Sequence, residues 1–426
     1  MDNSNLTHND MLAIIKAFLD QYGLTTHNIE SYDSLINGGI TEILESLFTI
    51  EKIMNNDRKV TDEDKLIKNY HIRGTFNSVK IGSPQCSAYI TGQQENLLPH
   101  RSRITGLPYS SMITMGARFV FTANFTDGKI DEKIVDIPPF QVGEFPTMVR
   151  GMNCHLRNCP RSSLQKLGED PTEEGGYFIA KQSEYALDMT ESLSYNSPRF
   201  WLNVKPNEYA RCDILSRPSS AWAASSNIVI TYYKNDQILL EINSMKFRNA
   251  KMPFYIIYRL LGMTSDEDIM NTIIFDHLDT SPRTKLLMKI VEQAMHLSDP
   301  MYEPFKRSLD RPELISFVAS KISKIITGPT YDSESAIQFR NNDLIGSVDK
   351  PGSIDTVLFP HLGMTAASRH VKLKFLGHII HKMLLVKLGV LPQTDRDSQK
   401  NKRVYGAGMS LSKVLKTQVN IGVIKP

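Results

Sequence analysis

Apolar residues recur along this chain with two different periods, and the places where the period changes divide the chain into regions. Near the start they have helical spacing from Asn9 to Tyr22, and Gly23 provides a stop signal. A second helix is predicted from Ile40 to Asn55, after the turn Asn37-Gly38-Gly39. We expect the first helix to dock on another surface, because one of its faces is strongly apolar.

Short alternating runs follow and predict β-strands. Between Asn69 and Ile137 they indicate antiparallel strands with a hairpin turn at Asp127-Gly128. A paired glycine then leads into a predicted strand at Tyr177–Ala180. A second set of strands is predicted from Glu191 to Phe247, with a hairpin at Lys234-Asn235-Asp236.

Helical spacing returns after these strands. Four helices are predicted, at Pro253–Leu261, Asp266–Phe275, Arg283–His296 and Arg311–Ile326. The polar stretch from Gly328 to Ser353 is predicted to be an exposed connection, and Arg369–Gly389 is predicted to be one long buried helix. The pattern therefore predicts an α+β fold with mixed antiparallel sheets and helices, and 426 residues are enough for two or three domains.

Charge is distributed unevenly along the chain. The net charge is only +3, yet the residues from Ala366 to Pro426 carry 12 Lys and Arg against two Asp, which gives this part +10. Such a basic face is typical of a surface offered to a polyanion. The cations are densest in a polar stretch from Thr394 to Arg403, which we call the basic loop. Its four candidate nucleic-acid contacts are Arg396, Lys400, Lys402 and Arg403.

A simpler interpretation of the basic loop is a solvated surface loop, since charge runs without interleaved aromatic residues are usually surface. Two glycines, Gly406 and Gly408, follow the loop and allow the backbone to approach another group closely. The acidic residues Asp395 and Asp397 resemble a magnesium-binding pair, but ion pairing with neighbouring cations explains them equally well. We therefore predict no magnesium site in the loop.

Other chemistry is sparse in the sequence. There is no phosphate-binding GxxxxGK[ST], no HExxH and no GxSxG, so we predict no catalytic residue in this chain. Cys154, His155 and Cys159 supply too few ligands for a closed zinc site, and His378 and His381 lie three apart without a carboxylate. We predict no metal site from either group.

The cellular setting is predicted from two features. Four scattered cysteines are too few for a disulfide framework and favour a reducing compartment. The start lacks the pattern of a signal peptide, and the longest apolar run is interrupted by Lys and His. We expect a soluble, intracellular protein with no membrane partner.

Five blocks of sequence, taken in this order, resemble the second-largest, beta-type subunit of multisubunit DNA-dependent RNA polymerases. They are LPHRSRITGLPYSS, IPPFQVGEFPTMVRGMNC, DPTEEGGYFIAKQSE, MPFYIIYRLLGMTSDEDI and TDRDSQKNKRVYGAG. Within that family the chain looks most similar to the versions carried by large cytoplasmic DNA viruses.

The resemblance implies a protrusion domain with an inserted lobe domain. Residues 1–188 would form an N-terminal arm and the first part of the protrusion, and residues 189–356 the lobe. Residues 357–392 would return to the protrusion, carrying the long helix, and residues 393–426 would begin the fork. By the family pattern Arg396, Lys402 and Arg403 lie nearest the nucleic acid. The family's later portions have no counterpart here, so we expect an N-terminal piece of the subunit.

The implied function is one side of the DNA cleft in a DNA-directed RNA polymerase, with nucleotidyl transfer only in the assembled complex. No cofactor is expected on this chain, and Mg²⁺ is expected at the active centre on the largest subunit. Expected partners are that subunit, the C-terminal part of the beta-type subunit, the other subunits, the DNA template and the RNA–DNA hybrid. The expected location is host cytoplasm or virion for a viral protein and nucleus for a cellular one. The alternative is a stand-alone nucleic-acid-binding or polymerase-regulating protein without a catalytic role.

Overall fold

The computed structural model describes residues 7–47, 50–55, 67–87, 92–125, 130–219, 222, 225–243, 250–275, 279–296 and 354–419. The chain forms two compact units. The first comprises residues 1–192 together with 404–426, and the second comprises residues 193–403. The predicted turn at Asp127-Gly128, the predicted helix Arg311–Ile326 and the predicted connection Gly328–Ser353 lie outside the described residues.

Helices occur in both units. In chain order they are α1 (His8–Tyr22), α2 (Thr26–Ser34), α3 (Ile40–Leu47), α4 (Pro99–Thr105), α5 (Arg161–Lys166), α6 (Phe254–Leu260), α7 (Asp266–Ile273), α8 (Pro282–His296), α9 (Ile354–Val357), α10 (Arg369–Lys387) and α11 (Ala407–Val419). Within the described ranges, no helix combines the length and the apolar character that a membrane span needs.

Strands complete the α+β fold that the sequence predicted. They are β1 (Ile50–Asn55), β2 (Ile67–Ile81), β3 (Gln85–Ser87), β4 (Gln94–Asn96), β5 (Ser110–Phe125), β6 (Ile130–Pro146), β7 (Phe178–Ala180), β8 (Ser183–Tyr185), β9 (Thr190–Leu193), β10 (Arg199–Leu202), β11 (Glu208–Ser216), β12 (Ser226–Tyr233), β13 (Ile238–Asn243), β14 (Ala250–Pro253) and β15 (Lys402–Tyr405).

The first unit is built on an antiparallel sheet with the strand order β1-β2-β5-β6. The predicted helix from Ile40 to Asn55 is corrected here, because α3 ends at Leu47 and β1 begins at Ile50. β1 pairs with β2 from Ile50 opposite Gly74 to Asn55 opposite Asn69. Pairing with a strand distant in sequence satisfies the backbone groups of this segment and overrides its helical spacing.

A small apolar core lies beside this sheet. It consists of Cys86, Leu97, Tyr109, Val149, Cys154, Leu156, Leu164 and Ile179. The predicted strand after the paired glycines is confirmed as β7, and Gly175 and Gly176 have φ of 74° and 88°. A side chain on Gly175 would place its Cβ 2.4 Å from the carbonyl oxygen of Val149, so this turn requires glycine for space as well as for φ.

The first helix, α1, forms as predicted, with Thr7 as its N-cap. None of its residues is buried. Its apolar side chains, such as Ile14 at 58% exposed and Phe18 at 57%, contact little within the described part of the unit. The prediction that this helix docks on another surface therefore stays a prediction.

The second unit is built on an antiparallel meander with the strand order β10-β11-β12-β13-β14. The predicted hairpin is confirmed, since β12 and β13 pair up to Tyr232 opposite Ile238. Alternate residues of β11 and β13 are buried, as expected for a sheet with one face against a core. Helices α6, α7, α8 and α10 contribute to that core and confirm the predicted helical segments.

The long helix α10 lies in the second unit, whereas the family resemblance implied that it returns to the first part of the chain. Its residues Leu376, Ile380 and Leu384 are fully buried in the core of the second unit. Helix α7 lies so close that a Cβ on Gly377 would be 2.3 Å from the carbonyl oxygen of Thr272. The segment 357–392 therefore closes the core of the second unit, and α11 is the C-terminal helix that returns to the first unit. The apolar stripe of α10 predicted burial correctly but could not specify the partner.

Candidate nucleic-acid interface

The basic loop is fixed at both ends to the second unit. Near its start the Thr394 backbone N–H donates to the carbonyl of Phe200 at 2.8 Å, and the Thr394 hydroxyl accepts from the Phe200 N–H at 2.9 Å. Near its end the carbonyl of Asn401 accepts from the Ser194 N–H at 2.8 Å. Phe200 belongs to β10, an edge strand of the five-stranded sheet, so the loop lies along that edge.

The acidic residues of the loop shape its turns. An Asp395 carboxylate oxygen accepts from the Asp397 N–H at 2.9 Å, which is an Asx turn. The Asn401 side-chain amide donates to the Asp395 carbonyl at 2.7 Å. In the described part of the chain, no three His, Cys, Asp or Glu side chains cluster as metal ligands would. The Asp395 carboxylate thus takes part in a turn, and the absence of a magnesium site in the loop stays a prediction.

The structure gathers the four predicted cations in this loop and gives two of them defined contacts. The Arg396 guanidinium carbon lies 4.3 Å from the ring centroid of Trp201. One guanidinium nitrogen of Arg403 donates to the carbonyls of Lys400 at 3.3 Å and Lys402 at 2.7 Å. Arg396, Lys400 and Arg403 are exposed, and Lys402 is half-buried. The loop therefore presents a compact group of positive charges to solvent.

Trp201 is the residue that sequence reasoning missed. Charge runs without aromatic residues are typical of a solvated surface that has no binding role. The basic loop has no aromatic side chain between Thr394 and Arg403. The fold supplies one from β10, Trp201, which is distant in sequence and whose ring centroid lies 4.3 Å from the Arg396 guanidinium carbon. Nothing local in the sequence signals this pair, because it depends on which strand the loop follows.

A second arginine, Arg199, lies two residues before Trp201. Side chains two apart on a strand point to the same face, so Arg199 and Trp201 share one face of β10, opposite Phe200 in the core. Arg199 is 4% exposed and donates to the Ser194 carbonyl at 2.8 Å. Burial lowers the pKa of Arg199, and the charge of Arg396 lowers it further, whereas the carboxylate of Asp213 opposes both effects.

The arginines of the LPHRSRITGLPYSS block are engaged elsewhere. Arg101 pairs with Glu95 at 2.8 Å. Arg103 contacts four side chains of the first unit, Glu169, Glu173, Tyr177 and Glu184. The Glu169 side chain is 1% exposed, so this arginine neutralises a buried charge. The contact joins two of the blocks of sequence noted above and has a structural role in the first unit.

The glycines after the basic loop pack against α2. A Cβ on Gly408 would lie 1.9 Å from the Ser31 carbonyl oxygen. The backbone N–H groups of Ala407 and Gly408 donate to the Asn28 amide oxygen at 2.9 Å and the Ser31 hydroxyl at 3.2 Å. The predicted close approach is confirmed, and its partner is a helix of the first unit.

The potential zinc ligands have protein partners of their own. The Cys154 thiol lies 3.3 Å from the Tyr109 hydroxyl, and burial raises the pKa of this thiol. The Cys159 thiol donates to the His155 carbonyl, and the His155 ring contacts the Pro84 carbonyl at 2.8 Å. Each of the three side chains thus has a protein contact in the first unit, and the absence of a zinc site stays a prediction.

The fold and the exposed basic loop together indicate an α+β protein with a cationic candidate interface. Its sequence carries no recognised catalytic motif. A family model described as "RNA polymerase beta subunit" matches residues 23–418. The chain therefore belongs to the RNA polymerase beta subunit family.

Individual relatives agree with this family. The chain is 25% identical over 417 residues to DNA-directed RNA polymerase II subunit 2 of Arabidopsis thaliana, covering 96% of this chain and 32% of that protein. It is 24% identical over 403 residues to DNA-directed RNA polymerase subunit Rpo2N of Methanothermobacter thermautotrophicus (strain Winter), covering 93% of this chain and 70% of that protein. It is 23% identical to DNA-directed RNA polymerase II subunit RPB2 of Encephalitozoon cuniculi, covering 97% and 33%. The chain thus spans about a third of the first and third of these relatives.

Proposed function

We propose that this chain is the N-terminal part of the beta-type subunit of a DNA-directed RNA polymerase and forms one side of the DNA cleft during DNA-templated transcription. The observation that carries the proposal is the family match over residues 23–418. The similarity to Rpo2N supports it further, because that match covers most of both chains.

We assign family domain names to the two units on the same basis. Residues 1–188 would be the N-terminal arm and the protrusion, residues 189–356 the lobe, and residues 393–426 the start of the fork. The segment 357–392 goes with the lobe rather than the protrusion, because its core contacts lie in the second unit.

The proposed division of labour leaves the chemical step to other chains. In the assembled enzyme Mg²⁺ at the active centre, held by the largest subunit, would supply the metal chemistry of nucleotidyl transfer. We assign no magnesium ligand to this chain, and one carboxylate oxygen of Asp395 accepts a backbone hydrogen bond in a turn. The isolated chain should therefore show no templated RNA synthesis.

The basic loop would contact the phosphates of the template or of the RNA–DNA hybrid. Arg396, Lys400, Lys402 and Arg403 bring four positive charges to one exposed loop. Each phosphate that they neutralise releases condensed counterions, which favours binding and makes it depend on salt. Such contacts are independent of base sequence, as a cleft that moves along DNA requires.

Co-purification tests the proposed function. A tagged chain isolated from its native setting should bring down the largest polymerase subunit and the remaining portion of the beta-type subunit, identified by mass spectrometry. Recovery of neither would contradict the proposal and favour the stand-alone nucleic-acid-binding protein. The same preparation tests the proposed viral origin and location, because it identifies the source of the partner subunits.

A further inference from the structure

Arg199 is a buried cation, and the nearby carboxylate of Asp213 forms no ion pair with it in the described part of the chain. The Arg199 side chain donates to the Ser194 carbonyl, and its Nε has no hydrogen-bond partner among the residues that the structure describes. Asp213 lies opposite Arg199 on β11, but its carboxylate accepts from Arg211 at 2.7 Å. Among the described residues, Arg199 forms no ion pair. A buried guanidinium is costly unless an anion and further hydrogen bonds compensate it.

Trp201 adds a second donor without an acceptor. The residue is 7% exposed, and its indole N–H has no partner among the described groups. The two unpaired atoms on this face of β10 are therefore both donors. A phosphate oxygen only accepts hydrogen bonds, so a phosphate is the kind of ligand that complements a face with unpaired donors.

The contact of Arg396 with Trp201 has a directional consequence. A guanidinium is planar, and its N–H groups lie in that plane. The indole ring, 4.3 Å from the guanidinium carbon, holds Arg396 by a cation–π contact, which leaves its N–H groups available for a bidentate contact to another acceptor. The ring therefore restricts the orientation of Arg396 without using its donors.

We propose that Arg199, Trp201 and Arg396 form a phosphate-binding subsite on the edge of the second unit, occupied by a phosphodiester of bound nucleic acid. Trp201 is a positioning residue that orients the Arg396 guanidinium toward the phosphate. The proposal rests on the proposed function, because it extends the basic loop by two residues that belong to β10. Inorganic phosphate offers the same oxygen atoms, so the experiment must separate the two sources.

Fluorescence of the full chain provides the test, because the sequence contains only two Trp residues. The signal of Trp201 is the difference between the wild type and Trp201→Phe. Single-stranded oligonucleotide and inorganic phosphate are titrated separately, at equal phosphate concentrations. We expect the oligonucleotide to change the Trp201 signal at concentrations where inorganic phosphate has little effect. A response to inorganic phosphate with none to the oligonucleotide would overturn the assignment to nucleic acid.

Matched variants separate positioning from charge. Arg396→Lys keeps the charge but loses the planar fork, whereas Lys400→Ala removes one charge from the same loop without a contact to Trp201. We expect Arg396→Lys to weaken oligonucleotide binding about 5- to 10-fold, more than Lys400→Ala, because a lysine ammonium cannot reproduce the bidentate contact of the guanidinium. Equal effects of the two variants would contradict a specific role for the guanidinium.

A double-mutant cycle tests the link between the ring and the arginine. Trp201→Leu and Arg396→Ala should weaken binding by similar factors, and the double variant should be little weaker than either one, because both remove the same contact. Additive losses would refute the positioning role. Trp201→Phe keeps an aromatic face and should lose less than Trp201→Leu, and thermal unfolding of each variant controls for folding.

The subsite and the proposed function can fail separately. The double-mutant cycle can show that Trp201 and Arg396 are coupled in oligonucleotide binding while the tagged chain captures no polymerase subunit. That pair of results would support the subsite and reject the proposed function. Capture of the subunits by a chain in which the two residues act independently would reject only the subsite.

Discussion

Leu376 provides a sharp test of where the long helix α10 belongs. This residue is fully buried in the core of the second unit. Replacing a buried leucine by alanine removes apolar contacts and leaves a cavity, which costs about 2–5 kcal/mol. Leu376→Ala should therefore destabilise the second unit by that amount. Val371→Ala is the matched control, because Val371 lies on the same helix but is 39% exposed.

Native-state hydrogen exchange locates the loss. Amides of β11 and β12 that exchange by unfolding of the second unit should exchange about 30-fold faster or more in Leu376→Ala, since every 1.4 kcal/mol is tenfold. Amides of β2 and β5 in the first unit should keep their rates, and Val371→Ala should change both units little. Faster exchange in β2 and β5 with β11 and β12 unchanged would refute the assignment of α10 to the second unit.

Three further predictions concern charge. The double variant Lys402→Ala and Arg403→Ala should leave subunit assembly intact but make template binding less dependent on salt. The slope of log binding constant against log salt concentration should fall by about 0.9 for each lost contact to duplex DNA, measured by binding titrations at several salt concentrations. An unchanged slope would exclude phosphate contacts by these two residues. Arg103→Met should destabilise the first unit by about 3–5 kcal/mol in urea unfolding, because Glu169 would remain buried without its counter-charge, keeping only the hydrogen bond from the His100 N–H. A loss under about 1 kcal/mol would show that the ion-pair network is dispensable. Burial lowers the pKa of Lys372 from 10.5 to about 8. Between these pH values the unfolded chain holds a proton on Lys372 that the folded chain has lost, so the free energy of unfolding should rise with pH across this range. Lys372→Met should abolish that rise, and a rise that persists in the variant would assign it to other groups.

Local pattern predicted most of the secondary structure. Helices α6, α7, α8 and α10 and the β12–β13 hairpin were found from apolar spacing and turn residues. The segment Ile50–Asn55 was not, because its pairing with β2 depends on residues distant in sequence. Spacing shows that a face is buried but not which surface covers it. The spacing in α10 therefore predicted a buried face but not the packing of that face in the core of the second unit.

The candidate site was predicted in part. The charge run and the family resemblance located Arg396, Lys400, Lys402 and Arg403, and the glycine spacing predicted a close approach that the structure shows on Ser31. Their role in binding nucleic acid stays a prediction. Trp201 and Arg199 could not be found this way, because they join the loop only through the fold of β10.

The resemblance to the polymerase family is confirmed by the family match. The blocks of sequence that carry the resemblance contact one another in the structure. Arg103, in one block, forms ion pairs with Glu169, Glu173 and Glu184 in or beside another block. The resemblance to viral members in particular stays a prediction.

Photocrosslinking at Lys400 tests the central claim most directly. Lys400 is exposed in the basic loop, so a photoreactive residue at this position should not disturb packing. In the purified assembled enzyme on a labelled promoter template, irradiation should attach template DNA to this chain, and high salt should abolish the product. An assembled, transcribing enzyme that gives no crosslink from Lys400 to template DNA or to the RNA–DNA hybrid would contradict the placement of this loop beside the DNA cleft.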